Sequence, residues 1–258
     1  MKILCIGDVV SSEGVEYLVN KLPRLRRETG ADVVIVNGEN SAVYNGIDKR
    51  AYDMILSAGA DVVTGGNHSF QKRTAVQLHD EEKRLIRPGN VKEFSAGQDE
   101  IVLDMGRRSV RVINVSGSLY MKEECENPFE YMERKVSRET DIITVVDFHA
   151  EATSEKKAMG YFLDGKVSLV VGTHTHVQKN DAIVLEGGTG YITDLGMVGV
   201  KHSVLGKGIT ECIHNFRYPD NRMKITDGKG QCILSGIIAE IDDNTKKCVS
   251  IEVINIDN

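Results

Sequence analysis

The sequence predicts an α/β fold, in which buried strands alternate with helices. Short runs that are continuously apolar and rich in β-branched residues recur along the chain, as in strands that are covered on both faces. Helix-like segments separate these runs in the first half of the chain. Hydrophobic residues make up 41% of the 258 residues and charged residues 27%, which is ordinary for a globular protein. We therefore expect one α/β domain over residues 1–258, with its helices outside.

The first half contributes three strands and two helices in alternation. The predicted strands cover residues 3–6, 33–36 and 61–64, and the predicted helices cover residues 14–28 and 49–57. Pro23 lies inside the first helical segment and predicts a break there, because proline suits the first turn of a second short helix. Asp48 is expected to cap the next helix at its start, and Gly59 is expected to end it.

The second half contributes strands of two kinds. Residues 142–146 and 167–171 are again continuous apolar runs and predict buried strands. Residues 100–114 and 232–255 alternate more between apolar and polar side chains. That alternation is typical of antiparallel strands with one solvated face, so it predicts a second sheet or a sheet edge.

The charge of the chain limits its partners. The net charge is −6 and the pI is about 5.7. The densest basic stretch, Arg24–Arg27, falls in a predicted helix, so no long nucleic acid is expected as a partner. An anionic substrate would therefore need a local positive centre, which bound metal would supply.

The cysteines and the lengths of the apolar runs indicate the cellular location of the protein. The five cysteines are scattered and form no Cys-x-x-Cys pair, which predicts reduced thiols in a cytoplasmic protein. The first strand-like run is too short for a signal peptide, and no apolar run approaches the roughly 20 residues of a membrane-spanning helix. We expect a cytoplasmic location and no membrane partner.

A residue that can bind a metal ion follows each of five predicted strands. These residues are Asp8, Glu39 with Asn40, Asn67 with the neighbouring His68, His149, and His174 with His176. The carboxyl ends of parallel strands meet at one edge of a sheet, where α/β proteins bind ligands. Carboxylates, amide oxygens and imidazoles without a thiolate suit manganese, iron or zinc. They are too numerous for one ion, so we expect two divalent ions that share a bridging carboxylate and attract a phosphodiester anion.

Each of these residues also has a structural interpretation. On spacing alone, His174 and His176 are as consistent with two unrelated histidines at a strand end as with two ligands of a metal ion. Taken singly, a helix cap, a polar turn, a capping turn or a core histidine would explain Asp8, Glu39–Asn40, Asn67–His68 or His149. Their joint occurrence at strand ends favours a metal site over separate structural roles.

Several other polar residues keep two interpretations. His68 stands beside a proposed ligand, so it could protonate a leaving alkoxide or be an idle surface residue. Asp194 could support the ligands or merely form a turn. Tyr44 and Asn45 in the loop of residues 41–47 could contact substrate, or the loop could simply be solvated. The remaining residues of interest are the histidines expected at surface or core positions: His79, His202 and His214.

The motifs resemble those of the calcineurin-like metallophosphoesterases. This resemblance is carried by Gly7–Asp8, Gly66–His68, the lone His149 and Gly172–His176. The sequence is more similar still to the YmdB-like branch of bacterial metallophosphoesterases. That second resemblance is carried by the longer strings Val36–Asn40, Asp147–Lys156, Gly172–Gln178 and Tyr191–Met197. It extends from residue 1 to near the end of the sequence.

The resemblance implies a four-layer α/β/β/α sandwich with two facing, mostly parallel or mixed sheets. It implies a phosphodiesterase that hydrolyses 2′,3′-cyclic nucleotides to 3′-nucleotides and uses iron or manganese, with zinc as the other candidate. By family position, the first ion would be held by Asp8, Glu39, Asn40 and His176. The second would be held by Glu39, Asn67, His149 and His174, so that Glu39 bridges the pair. His68 resembles the proton donor, and the family implies a homo-oligomer.

The sequence departs from the wider superfamily at two ligand positions. Val10 stands where the usual Asp-x-His opening has histidine, and Glu39 replaces the usual bridging aspartate. Within the YmdB-like branch, Ser69–Phe70 replaces the more usual Thr-Trp, which bears on substrate preference.

The mechanism that we hypothesise is in-line attack on phosphorus by a hydroxide that bridges the two ions. Two other functions stay open. One is a phosphomonoesterase or nuclease at the same site, and the other is a non-catalytic nucleotide-sensing regulatory protein.

Overall fold

Two β-sheets form the centre of a mixed α/β fold in the computed structural model, which describes residues 1–106, 108–137 and 142–257. Within these ranges the helices are α1 (Ser11–Thr29), α2 (Lys49–Ser57), α3 (Ala75–Glu81), α4 (Pro128–Val136), α5 (Thr153–Phe162) and α6 (Ile209–Arg217). The strands are β1 (Lys2–Ile6), β2 (Asp8–Val9), β3 (Val33–Asn37), β4 (Val62–Thr64), β5 (Leu85–Ile86), β6 (Glu100–Asp104), β7 (Ser109–Ser116), β8 (Ile143–His149), β9 (Leu169–Thr173), β10 (Ile183–Val184), β11 (Gly190–Ile192), β12 (Met197–Val200), β13 (Cys232–Ile241) and β14 (Cys248–Ile256).

The first sheet combines parallel and antiparallel strands. In the described residues its order is β2-β12-β13-β1-β3-β4-β5, and β14 pairs with β13. Strands β1, β3, β4 and β5 run parallel, whereas β13 is antiparallel to its neighbours β1, β12 and β14. The carboxyl ends of β1, β3 and β4 therefore lie at one edge of this sheet, as the sequence predicts.

The second sheet has the order β10-β11-β9-β8-β7-β6. Its strands β7, β8, β9 and β11 are parallel, while β6 and β10 at its two edges are antiparallel to their neighbours. The predicted antiparallel pairing within residues 100–114 and within residues 232–255 is confirmed, although β7 also pairs parallel with β8. The two segments lie in different sheets, however, with the first in β6–β7 and the second in β13–β14.

The strands read as continuous apolar runs because both faces of the sheets are buried. In β1, Ile3 and Cys5 pack with residues of the second sheet such as Val110 and Ile143. The alternate residues of β1 pack with helices α1 and α2. A further cluster joins the second sheet to α4 and α5. The four cysteines Cys5, Cys212, Cys232 and Cys248 are buried, Cys125 is partly buried, and all five are free thiols.

The predicted break at Pro23 is wrong. Helix α1 runs without interruption from Ser11 to Thr29, with Pro23 inside it. Proline removes one N–H donor and crowds the carbonyl group four residues earlier, but buried leucines on both sides of it, Leu22 and Leu25, pack into the core beneath the first sheet and offset that cost. Gly30, with φ of 66°, ends the helix.

The predicted limits of α2 are confirmed. The side chain of Asp48 accepts a hydrogen bond from the N–H of Ala51, and Gly59 turns the chain after the helix with φ of 113°. None of the helices in the described ranges combines the length and the apolar character that a bilayer crossing requires.

The core between the sheets is expected to dominate the stability of this fold. Ile237 of β13 is 0% exposed in that core, whereas Val249 of β14 is 57% exposed. Ile237→Ala should lower the free energy of unfolding by about 2–5 kcal/mol because it leaves a cavity. Val249→Ala should change it by no more than about 0.5 kcal/mol. Urea denaturation of both variants provides the measurement, and equal losses would contradict this account of the core.

Candidate metal centre

The carboxyl ends of strands from both sheets meet at one place. All the ligands predicted from the sequence lie there, namely Asp8, Glu39, Asn40, Asn67, His149, His174 and His176, with His68 beside them. Two groups of donor atoms form within this cluster. Asp8, Glu39 and His176 make one group, and Glu39, His149 and His174 make the other, with donor atoms within 4.8 Å of one another. Glu39 belongs to both groups.

The first group contains polar atoms that lack partners. Asp8 Oδ1 lies 3.6 Å from His176 Nε2, and the amide nitrogen of Asn40 lies 3.2 Å from the same nitrogen. That amide also donates to Glu39 Oε1 at 2.6 Å. Among the described residues, Asp8 Oδ1 and Asn40 Oδ1 are buried without any hydrogen-bond partner. Unpartnered buried oxygens are costly, and a cation between them would remove that cost.

The second group centres on one imidazole nitrogen. His149 Nε2 lies 3.0 Å from Asn67 Oδ1, 3.1 Å from His174 Nδ1 and 3.4 Å from Glu39 Oε2. Two imidazole nitrogens that face each other at this distance need a proton or a cation between them. Divalent ions accept both nitrogens as ligands together with amide and carboxylate oxygens.

A hydrogen-bond relay holds the ring of His149. Its Nδ1 lies 2.9 Å from the hydroxyl oxygen of Thr173, and that hydroxyl donates to Asp147 Oδ1 at 2.7 Å. Because the hydroxyl proton is committed to Asp147, the Nδ1 of His149 must be the donor in the first bond. Its Nε2 is then unprotonated and available to a metal ion, as for most metal-binding histidines.

The other two imidazoles are supported in the same way. His176 Nδ1 lies 3.2 Å from the carbonyl oxygen of Leu205, which leaves Nε2 turned toward Asp8 and Asn40. His174 Nε2 lies 3.1 Å from a carboxylate oxygen of Glu151, which leaves Nδ1 turned toward His149. Each ring thus has a partner on its outer nitrogen and points the inner one into the cluster.

The charges in the cluster also favour a cation. Burial and the negative charge of Glu39 raise the pKa of Asp8 well above its ordinary range. Burial works against ionisation of Glu39 too, but the hydrogen bonds from His68 and the charge of His68 hold the pKa of Glu39 below its usual value. Burial lowers the pKa values of His149 and His176, so both rings are neutral near pH 7, which is the form that binds metal.

His68 contacts Glu39 twice. Its backbone N–H donates to Glu39 Oε2 at 3.0 Å, and its Nδ1 lies 3.2 Å from Glu39 Oε1. Burial alone would lower the pKa of His68, but the bond to Glu39 and the charge of Glu39 raise it. Its side chain is 31% exposed, so the imidazole lies at the open side of the cluster. A protonated imidazole in this place could supply a proton to a bound molecule.

Residues that sequence reasoning missed lie behind the ligands: Asp147, Thr173, Glu151 and Leu205. Asp147 carried a signal, since it is an acidic residue directly after the apolar run of residues 142–146. Its carboxylate, 2% exposed, accepts hydrogen bonds from Thr173 of the second sheet and from Asn37 and Thr64 of the first. Burial raises the pKa of Asp147 to about 6, and these hydrogen bonds limit the shift.

The structure gives the burial and contacts of several residues for which the sequence allowed two interpretations. Asp194 is fully buried and accepts hydrogen bonds from Thr175, between two proposed ligands. Tyr44 is 50% exposed, and Lys224 lies over its ring. His79 is a core residue, whereas His202 lies on the surface.

The chain has relatives along nearly its whole length. A family profile described as "YmdB-like protein" matches residues 4–254. A 2′,3′-cyclic-nucleotide 2′-phosphodiesterase from Bacillus subtilis is 38% identical over 261 residues, which cover 100% of this chain and 98% of that protein.

Solved structures share the fold. A structure described as a novel phosphatase, from Mycoplasma pneumoniae, has a TM-score of 0.94 at 34% identity, with coverage of 100% of this chain and 93% of that one. A hypothetical protein from Thermus thermophilus has a TM-score of 0.93 at 33% identity, with coverage of 100% and 99%.

The hydrogen-bond relay from His149 through Thr173 to Asp147 can be interrupted by a substitution that keeps the shape of the Thr173 side chain. Thr173→Val removes the hydroxyl that accepts from His149 and donates to Asp147, so we expect the dissociation constant for Mn²⁺ to rise about 10–100-fold. Thr189→Val is the matched control, because Thr189 is also fully buried and its hydroxyl donates to the carbonyl oxygen of Val167, away from the cluster. Titration calorimetry measures both, and wild-type affinity in Thr173→Val would show that the relay is unimportant.

Proposed function

Because the chain belongs to the YmdB-like protein family, we propose that it is a phosphodiesterase that hydrolyses 2′,3′-cyclic nucleotides to 3′-nucleotides at a centre of two divalent ions. The observation that carries this proposal is the pair of donor groups that share Glu39. The activity of the Bacillus subtilis relative, a 2′,3′-cyclic-nucleotide 2′-phosphodiesterase, supports this substrate class.

The donor set supports two ions of the iron or manganese type, with zinc as the alternative. One would be held by Asp8, Glu39, Asn40 and His176, and the other by Glu39, Asn67, His149 and His174. The unpartnered Asp8 Oδ1 and Asn40 Oδ1 support the first site, and the facing nitrogens of His149 and His174 support the second. When bound, such ions lower the pKa of water toward neutrality and neutralise charge on phosphoryl oxygens.

The chain itself supplies orientation and a proton. Glu39 fixes the position of His68 through both the backbone and the ring of that residue. We propose that protonated His68 donates its proton to the 2′-oxygen as the bond between that oxygen and phosphorus breaks. Oxygen from water becomes the new ligand of phosphorus, so the product is a 3′-monophosphate with a free 2′-hydroxyl. The contact with Glu39 raises the pKa of His68 and so favours the protonated form.

We also propose that residues 1–258 form a single domain with the layer order α/β/β/α. Three apolar clusters support this order. The first joins α1 and α2 to one sheet, the second joins the two sheets, and the third joins the other sheet to α4 and α5.

Substrate choice is tested by a panel of 2′,3′-cyclic nucleotides, 3′,5′-cyclic nucleotides and nucleoside monophosphates, with Mn²⁺ or Fe²⁺ supplied. We expect the 2′,3′-cyclic compounds to be hydrolysed fastest and chelation to abolish turnover. Glu39→Gln should reduce activity and metal affinity more than about 100-fold, since Glu39 touches both donor groups. Glu124→Gln, an exposed glutamate, is the control. Faster release of phosphate from monoesters would instead identify a phosphomonoesterase.

The role of His68 is tested by comparing the rate loss of a His68 variant on substrates whose leaving groups do and do not need a proton. His68→Ala should slow hydrolysis of 2′,3′-cyclic AMP about 10²–10⁴-fold with bound metal unchanged. The defect should shrink for bis(p-nitrophenyl) phosphate, because nitrophenolate leaves without a proton. His202→Ala, at an exposed histidine, should have wild-type rates. An equal defect on both substrates would argue against proton donation by His68.

A further inference from the structure

The turn that carries two of the proposed imidazole ligands has an unusual backbone. His174 has φ of 101° and His176 has φ of 62°, a region that residues other than glycine rarely adopt. Such conformations persist only where the surrounding structure over-determines them. The constraint must therefore come from contacts of this turn with the rest of the chain.

Thr175, between the two histidines, makes those contacts. Its backbone N–H donates to Asp194 Oδ2 at 3.1 Å, and its hydroxyl donates to the same oxygen at 2.8 Å. Asp194 is 0% exposed, so water does not compete for these bonds. Two bonds from one residue fix both its backbone and its side chain. They therefore limit the rotation of the peptide units that lead to His174 and His176.

Lys156 supplies the charge that balances this buried carboxylate. Its ammonium group donates to Asp194 Oδ2 at 2.7 Å and to the carbonyl oxygen of Thr173 at 2.7 Å. Its side chain is only 1% exposed. Thr173 is the last residue of β9, so Lys156 holds the chain just before the turn while Asp194 holds the turn itself.

The other carboxylate oxygen connects the turn to the first sheet. Asp194 Oδ1 accepts the N–H of Gly196 at 2.8 Å, and the carbonyl of Gly196 accepts the N–H of Asp8 at 3.0 Å. Asp8 Oδ2 in turn accepts the N–H of His174 at 3.1 Å. The carboxylate of Asp194 therefore connects Asp8, a proposed ligand in the first sheet, to the turn after β9 of the second sheet.

We infer that Asp194, balanced by Lys156, is a positioning residue that sets the spacing among Asp8, His174 and His176 and thereby the metal affinity of the centre. This inference rests on the proposed metal centre. Asp194 touches neither substrate nor ions in this role, and acts through hydrogen bonds that only an acceptor can make. Asparagine at this position keeps the shape but replaces one acceptor oxygen with a donor group, which faces other donors.

The test is Mn²⁺ titration calorimetry on the purified, metal-free full-length chain. Asp194→Asn should raise the Mn²⁺ dissociation constant about 10–100-fold while the circular dichroism spectrum stays that of the wild type. Thr175→Val leaves the Lys156–Asp194 pair intact and should weaken Mn²⁺ binding less. It also keeps the test decisive if Asp194→Asn fails to fold. The losses should be non-additive in the double variant, because both substitutions disturb the bond from the Thr175 hydroxyl to Asp194.

Lys157→Met is the control for the loss of an ion pair, because Asp194→Asn removes the charge partner of Lys156. Lys157 is the next residue of α5, is 44% exposed and pairs with Asp181 at 2.9 Å. Lys157→Met removes one ion pair but no contact of the His174–His176 turn, so the Mn²⁺ affinity should not change. A purely structural role of Asp194 would lower the unfolding temperature of the metal-free variants and leave Mn²⁺ affinity as in the wild type.

The outcomes separate the two proposals. Wild-type Mn²⁺ affinity in folded Thr175→Val, and in Asp194→Asn where it folds, would overturn the inference and leave the proposed function intact. Failure of the wild type to bind Mn²⁺ would overturn the metal centre and the inference together.

Discussion

The buried carboxylate of Asp147 provides the constraint on which the site depends, because the proposed ligands are divided between two sheets. The acidic and amide ligands follow strands of the first sheet, and the imidazoles follow strands of the second. Apolar contacts between the sheets are non-directional and cannot by themselves set ligand distances to a fraction of an ångström. Hydrogen bonds from Asn37, Thr64 and Thr173 to Asp147 are directional and join both sheets directly behind the cluster.

This division of ligands has an electrostatic consequence. Asp8 and Glu39 place two buried carboxylates within 4.8 Å of each other. At an effective dielectric constant of about 20, like charges at that distance repel by about 3–4 kcal/mol. Neutral imidazoles from the second sheet relieve none of this repulsion, whereas cations would reverse it. Metal binding should therefore be coupled to the stability of the folded chain, since ions bind the native arrangement and not the unfolded one.

The sequence predicts the strands, their polar ends and the convergence of the candidate ligands because the features that indicate them are local. An apolar run followed by a polar residue can be recognised within about ten residues, and the family motifs are contiguous strings. The supports of the ligands are not local. Thr173 acts on His149 across 24 residues, Leu205 acts on His176 across 29, and Asn37 reaches Asp147 across 110. Pro23 failed as a predictor for the same reason, since tertiary packing of α1 outweighs the local preference of proline.

Unfavourable features of three kinds coincide in the cluster. Asp8 Oδ1 and Asn40 Oδ1 are buried without partners among the described residues, two imidazole nitrogens face each other, and both histidines of the turn have positive φ. If these strand ends were purely structural, common substitutions would remove each cost. Glycine at the two positive-φ positions would relieve the backbone strain, and a nearby hydroxyl would give the unpartnered oxygens a hydrogen bond. Backbone strain and unmet polar groups that gather where strand ends converge are expected of a binding site, where a ligand offsets them. The coincidence of these costs at one point, more than any single histidine, favours a binding site over a set of polar turns.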